Sequence, residues 1–313
     1  MPSDPLPLCC SEHIAARSQA LTAAFLDKFS PLATTHSLLP LLLHPTNSSV
    51  NHILSALTDG SLEPSFESDD DPSWTDAVNL SEHESWIASA HKEIQSLHDL
   101  QVFVLVPCST LPPGCHPMCG KLVGKCKHND LGTITCYKVR YVVKGYAQCY
   151  GVDNDKMTTP TAHLESFCLV LHLTASLCWD LHQFNVKTAF LNGVLPNDEI
   201  TYMEQPSGFE EPGKEDWVWQ LMHSIYGMKQ ASCIWNHTFD ETVWSWGFIT
   251  NEWCIYICIS NTGMTIFTLH VDNILSTSSS AAETNRFKAD LQSCWEISNL
   301  GPTKFSLSIS ITC

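Results

Sequence analysis

Three groups of residues in this chain have the types and spacing to do chemistry. Lys121, Lys125, Lys127, Lys138, Arg140 and Lys144 place six of the sixteen Lys and Arg residues in one short window. They recur on alternate positions of two strand-like runs, KLVGKCK and TCYKVRYVVKG, so one face of a hairpin carries them. Such a face is either solvated or set against phosphate. Cys115, Cys119, Cys126 and His128 lie near one another but lack the paired C-x₂-C spacing of a zinc site, and the reading is against a metal there. Asp272 and Asn273 sit between the runs MTIFTLHV and ILSTS, where a carboxylate and a carboxamide read as a polar hairpin turn. The Trp residues, including Trp235, Trp244 and Trp246, read as core and helix packing rather than an exposed stacking platform.

Composition bounds what these groups can serve. A hydrophobic fraction of 44% with 16% charged residues is an ordinary globular balance over 313 residues. The net charge of −17 argues against a protein that tracks nucleic-acid phosphate over its whole surface, and leaves a local basic patch in an acidic chain. No run reaches the roughly 20 apolar residues of a membrane helix, because Pro40 interrupts SLLPLLL. The opening MPSDPLPLCC lacks a basic segment followed by an apolar one, so the expectation is an intracellular protein, cytoplasmic or nuclear, with no membrane partner. Fifteen cysteines at irregular spacing then read as free thiols.

The elements that must position these residues follow from periodicity. Residues 1–73 are rich in Ser, Pro, Leu and Thr and read as a poorly ordered arm, with the folded domain over 74–313. Ser81 and Glu84 form a capping-box pattern ahead of Trp86, Ala90, Ile94 and Leu97 at helical spacing. QVFVLVP at 101–107 alternates like a strand, 107–120 reads as a loop, and the basic hairpin follows with its turn at His128 to Gly132. Helices are expected over 164–178, 224–246 and 281–295, with DLHQFNV as a short strand after the first. WCIYICIS and MTIFTLHV form a hairpin turning at 261–263, a tight turn at Asp272 and Asn273 leads on, and a last strand is expected at 303–311. The sum is an α+β chain.

Periodicity assigns no activity, but one segment does more. HQFNVKTAFLNG at 182–193 resembles the block of copia-type retrotransposon reverse transcriptases that carries Asp where this chain has Asn185. Further blocks fall in that family's order: Trp86 with Glu93 and Leu97, KLVGKCK, YKVRYVVKGYAQ, ITYMEQPSGF, SIYGMKQAS, HVDN at 270–273 and LGPTKFSLSIS. The resemblance implies an RNA-directed DNA polymerase of right-hand form, with the palm and fingers present and the thumb and ribonuclease H largely absent. It implies Mg²⁺ as cofactor, and dNTPs with an RNA or DNA primer-template as partners. Three Asp would hold the metal, and here the matching positions are Asn185, Asp272 and Asn273, which leaves Asp272 as the metal ligand. The resemblance also places Phe190, Gln230, Lys138 and Arg140 at the nucleotide site.

Two-metal phosphoryl transfer needs charged oxygen ligands for hard cations about 4 Å apart, so two amides among three ligands imply an inactive or very weak enzyme. Asp180 is no substitute, since it stands five residues before Asn185 on the opposite face of a strand. His270, Cys168, Cys233 and Ser308 also depart from the family's pattern. Two other readings stand beside an impaired polymerase: a non-enzymatic nucleic-acid-binding or interaction module, and a pseudogene remnant without a selected role.

Overall fold

A computed structural model describes residues 71–129, 132–148, 164–196, 200–250 and 254–302, with the pairs 305–306 and 309–310. The arm expected over 1–73 lies outside the described residues except for its last three. The chain divides into two compact units, and the fold is mixed α/β.

The first unit takes its described residues from 71–148 and 188–240. Helices α1 (Trp74–Ala77) and α2 (His83–Asp99) precede β1 (Phe103–Pro107), β2 (Gly120–His128) and β3 (Ile134–Val143). After the break come β5 (Thr201–Met203) and β6 (Trp217–Leu221), and α4 (Ala231–Ser245) begins here and ends in the other unit. The strands β1, β6 and β5 make an antiparallel sheet, while β2 and β3 form a separate two-stranded ribbon. The core joins the buried face of α2, Trp86, Ala90 and Leu97, to Leu122, Val139 and Tyr141 of the ribbon and to Met203 and Trp219. Phe103 stacks on Trp219 at 3.8 Å.

A two-stranded ribbon has two open edges, and an open edge invites unwanted pairing. Both are covered here. On β3, Ser89 of α2 accepts the Val139 N–H at 3.0 Å and donates to the Tyr137 carbonyl at 2.9 Å, while Glu93 lies one helical turn on with its buried Oε1 unpartnered. On β2, Asp71 accepts the Cys126 N–H at 2.8 Å and Ser73 bridges Val123.

The second unit holds α3 (Leu164–Leu177), β4 (Asp180–Val186), β7 (Ile249–Thr250), β8 (Ile255–Ile259), β9 (Met264–His270), β10 (Asn273–Ser278), α5 (Ala281–Cys294) and β11 (Ile297–Pro302). Six strands form an antiparallel sheet in the order β11-β4-β10-β9-β8-β7. The middle of the sheet is covered on each face, and β8, β9 and β10 are buried along nearly their whole length. Phe167, Val170 and Leu173 of α3 pack with Leu181, Ile255, Ile257, Ile266 and Leu275 on one side. Phe287 of α5 meets Phe184, Phe248 and Phe267 on the other, at 6.1, 5.3 and 4.8 Å. Glu283 of α5 ties down the β8–β9 turn, accepting from Ser260 at 2.9 Å, from Thr262, and from Arg286 at 2.8 Å. Two further short strands, β12 (Phe305–Ser306) and β13 (Ile309–Ser310), pair with each other.

Four sequence expectations need correction. The helix expected over 224–246 begins only at Ala231, because Gly227 adopts φ +88° and turns the chain back toward β3. The capping box does not form: α2 starts at His83, and the Ser81 hydroxyl donates to Glu82 instead. In place of one last strand over 303–311, the described residues there form two short strands paired with each other, 305–306 and 309–310. The tight turn falls on Val271 and Asp272, and Asn273 is already the first residue of β10.

Candidate active site

The three positions matched to metal ligands meet at one end of the six-stranded sheet. β4 carries Asn185 through the middle of the apolar pair Phe184 and Val186, both fully buried, so alternation fixes Asn185 on the α3 side of the sheet. Asn273 is its register partner on β10, and His270 faces Asn273 from β9. Asn185 Nδ2 donates to Asn273 Oδ1 at 3.2 Å, although the residues are 88 apart in sequence. Asn273 Nδ2 in turn donates to Asp272 Oδ1 at 3.1 Å. The Val186 N–H donates to the Asp272 carbonyl at 2.8 Å, which ties the turn to β4 through the backbone as well. Asp180 lies at the far end of β4, paired with Ser278.

The turn that presents Asp272 is strained. Val271 sits at φ +60°, a left-handed backbone that a β-branched residue rarely adopts. Two-residue hairpin loops favour such a turn, but usually with Gly or Asn in that place. The cost is about 1–3 kcal/mol, similar to what two or three net hydrogen bonds return.

This donor set does not fit a pair of divalent cations. Only one of the three side chains carries charge, and two of the amide and carboxylate oxygens are engaged by neighbouring N–H groups. Among the described residues no group of three or more His, Cys, Asp and Glu side chains is placed to hold a metal ion. His270 adds a buried Nδ1 with no hydrogen-bond partner, beside Asn273.

The expected nucleotide-site residues belong to the first unit. Register places Lys121, Lys125, Lys127, Lys138 and Arg140 on the outer face of the ribbon, with Lys125 directly opposite Lys138. Lys144 lies beyond the end of β3 and is not part of that row. Burial, then Arg140 and Lys127 nearby, push the pKa of Lys138 down. The Arg140 guanidinium lies 4.6 Å from the centre of the Tyr226 ring, and Phe190 meets the same ring edge-on at 6.0 Å. Tyr226 thus joins two of the sequence-predicted residues, and sequence reasoning missed it.

The segment 224–230 is docked against the end of β3 by backbone. Val143 N–H donates to the Tyr226 carbonyl at 2.8 Å. A Cβ on Gly145 would fall 2.0 Å from the Gly227 carbonyl oxygen, and one on Gly227 would fall 2.3 Å from that of Val143. Only glycine permits this approach. Gln230 is 2% exposed, and its Oε1 accepts from Gln148 at 3.2 Å. Gln148 also accepts the Lys229 N–H at 2.9 Å, and its carbonyl takes the Lys229 ammonium at 2.8 Å. The glutamines of YVVKGYAQ and SIYGMKQ therefore hold each other, and Gln148 went unnoticed in the sequence because its partner is 82 residues away. Of the tryptophans, Trp235 is buried and Trp246 meets Trp295 at 5.9 Å, but Trp244 is 57% exposed, contrary to expectation.

Comparison with known proteins shows the family. The model of the family described as reverse transcriptase (RNA-dependent DNA polymerase) matches residues 101–313. The retrovirus-related Pol polyprotein from transposon TNT 1-94 of Nicotiana tabacum is 35% identical over 223 residues, which is 70% of this chain and 16% of that protein. The Pol polyprotein from transposon RE1 of Arabidopsis thaliana is 29% identical over 206 residues, covering 64% of this chain and 14% of its own length. The chain thus spans about a sixth of the Pol polyproteins it matches.

Proposed function

Because this chain belongs to the reverse transcriptase (RNA-dependent DNA polymerase) family, we propose that residues 74–313 are the fingers and palm of a copia-type transposon reverse transcriptase with an impaired metal site. In this reading the ribbon with α2 forms the fingers and the six-stranded sheet the palm. Asn185, Asp272 and Asn273 occupy the triad, and Asp272 is the remaining metal ligand. Mg²⁺ is the family's cofactor, and dNTPs and a primer-template are its partners. The observation that carries the reading is the meeting of Asn185, Asp272 and Asn273 across β4 and the β9–β10 turn, with one carboxylate among three ligands. Manganese binding followed by electron paramagnetic resonance tests it. Wild type and Asp272→Asn should bind Mn²⁺ alike at micromolar concentrations, and tight binding that Asp272→Asn removes would refute the impairment.

A second reading has its own support. Lys125 stands directly across the ribbon from Lys138, and like charges in such a pair repel unless an anion lies between them. A basic face that survives without a competent metal site fits a nucleic-acid-binding module that performs no chemistry. It requires primer-template binding that weakens steeply with salt and with Lys138→Ala and Arg140→Ala combined. No binding at low salt would remove it.

A further inference from the structure

From the hydrogen-bond chain Asn185 to Asn273 to Asp272, we infer that the two amides form a metal-free lock for the strained β9–β10 turn, acting as one unit and replacing a bound cation in that structural role. The inference rests on reading these positions as a metal triad, but concerns stability rather than catalysis. Three carboxylates at this spot would repel one another and offer no N–H donor, so the turn would depend on cations to hold it. An amide supplies both a donor and an acceptor, and two amides beside one carboxylate make a directed series. Asn185 Nδ2 donates to Asn273 Oδ1 at 3.2 Å, and Asn273 Nδ2 donates to Asp272 Oδ1 at 3.1 Å. Both amides are half-buried at a strand end, where an unanswered polar group would be costly.

The strain at Val271 gives the lock a task. Its φ of +60° is held between two register pairs, His270 with Asn273 and Asn273 with Asn185. Asp272 is further fixed by its carbonyl, which takes the Val186 N–H. Removing either amide therefore releases the same turn, and removing both releases it no further.

Thermal unfolding of the full chain, in EDTA and in millimolar Mn²⁺, tests this. Asn185→Ala and Asn273→Ala should each lower Tm in EDTA by roughly 2–4 °C, and the double variant should fall no lower than the worse single one. Strictly additive losses, or no loss from either, would overturn the lock. Asn185→Asp with Asn273→Asp should also lower Tm in EDTA, and should gain more from Mn²⁺ than wild type does. If the double Asp variant loses stability in EDTA but Mn²⁺ restores none of it, the lock stands and the metal-triad reading fails. A double Asp variant as stable as wild type in EDTA would overturn the inference.

Discussion

The Arg140 guanidinium lies over the face of the Tyr226 ring, 4.6 Å from its centre, and that contact joins strand β3 to the segment that precedes α4. A cation over an aromatic face is worth about 0.5–2 kcal/mol, and the Tyr226 carbonyl reinforces the junction by taking the Val143 N–H. Tyr226→Leu keeps the apolar bulk and removes the ring quadrupole. Urea unfolding of Tyr226→Leu, Arg140→Ala and the double variant should give a coupling of about 0.5–1 kcal/mol. Zero coupling would mean that the ring does not hold the guanidinium.

Glu93 should make the ribbon sensitive to pH. Burial raises its carboxyl pKa, against the Tyr141 N–H, Arg140 and Lys138, which all lower it. The folded state then keeps its proton at a pH where the unfolded chain has lost it. Stability should fall as pH rises from about 4.5 through the folded value, and level off above it. Glu93→Gln removes the titrating group, and its stability curve should be flatter over that window. An unchanged slope would contradict this assignment.

Glu283 should act with the opposite sign. Burial raises its pKa, but hydrogen bonds from Thr262, Ser260 and Arg286 outweigh burial and leave it below 4.5. Its contribution is present above the unfolded value and is lost as pH falls through the folded one. Acid titration of Tm should show Glu283→Gln already destabilised at neutral pH, with a smaller further loss below pH 4.5 than wild type. Parallel acid losses in the two proteins would count against the cluster around the β8–β9 turn.

The strain at Val271 predicts a stabilising substitution. Glycine adopts φ +60° freely, so Val271→Gly should recover part of the roughly 1–3 kcal/mol of strain, less about 0.5–1 kcal/mol for the added freedom of the unfolded chain. A Tm higher by a few degrees is expected, and a lower Tm would show that the turn is relaxed.

Much of this was legible because it is local. The β8–β9 hairpin, the helix with Trp86, Ala90 and Leu97, and the alternation of cations on β2 and β3 all follow from spacing within one element. What the sequence hid is what depends on distant partners. Helical spacing of apolar residues ran on through 224–230, and nothing local revealed that this segment folds back on β3 at Gly145 and Gly227. Asp71 fell within the arm read as poorly ordered, yet its carboxylate covers an edge of β2. β5 and β6 were missed as strands because they are short, with three and five residues, and gain their order only from pairing with each other and with β1. In the candidate site the residue types were visible, but the hydrogen-bonded order Asn185, Asn273, Asp272 needed the sheet register.

Primer extension on an RNA template, with Mg²⁺ or Mn²⁺, tests the central claim most directly: that this family member keeps the palm and has lost the charge its metals need. Wild type should incorporate no more dNTP than Asp272→Ala does, and Asn185→Asp combined with Asn273→Asp should extend the primer where wild type does not. Robust incorporation by wild type, abolished by Asp272→Ala, would contradict the account.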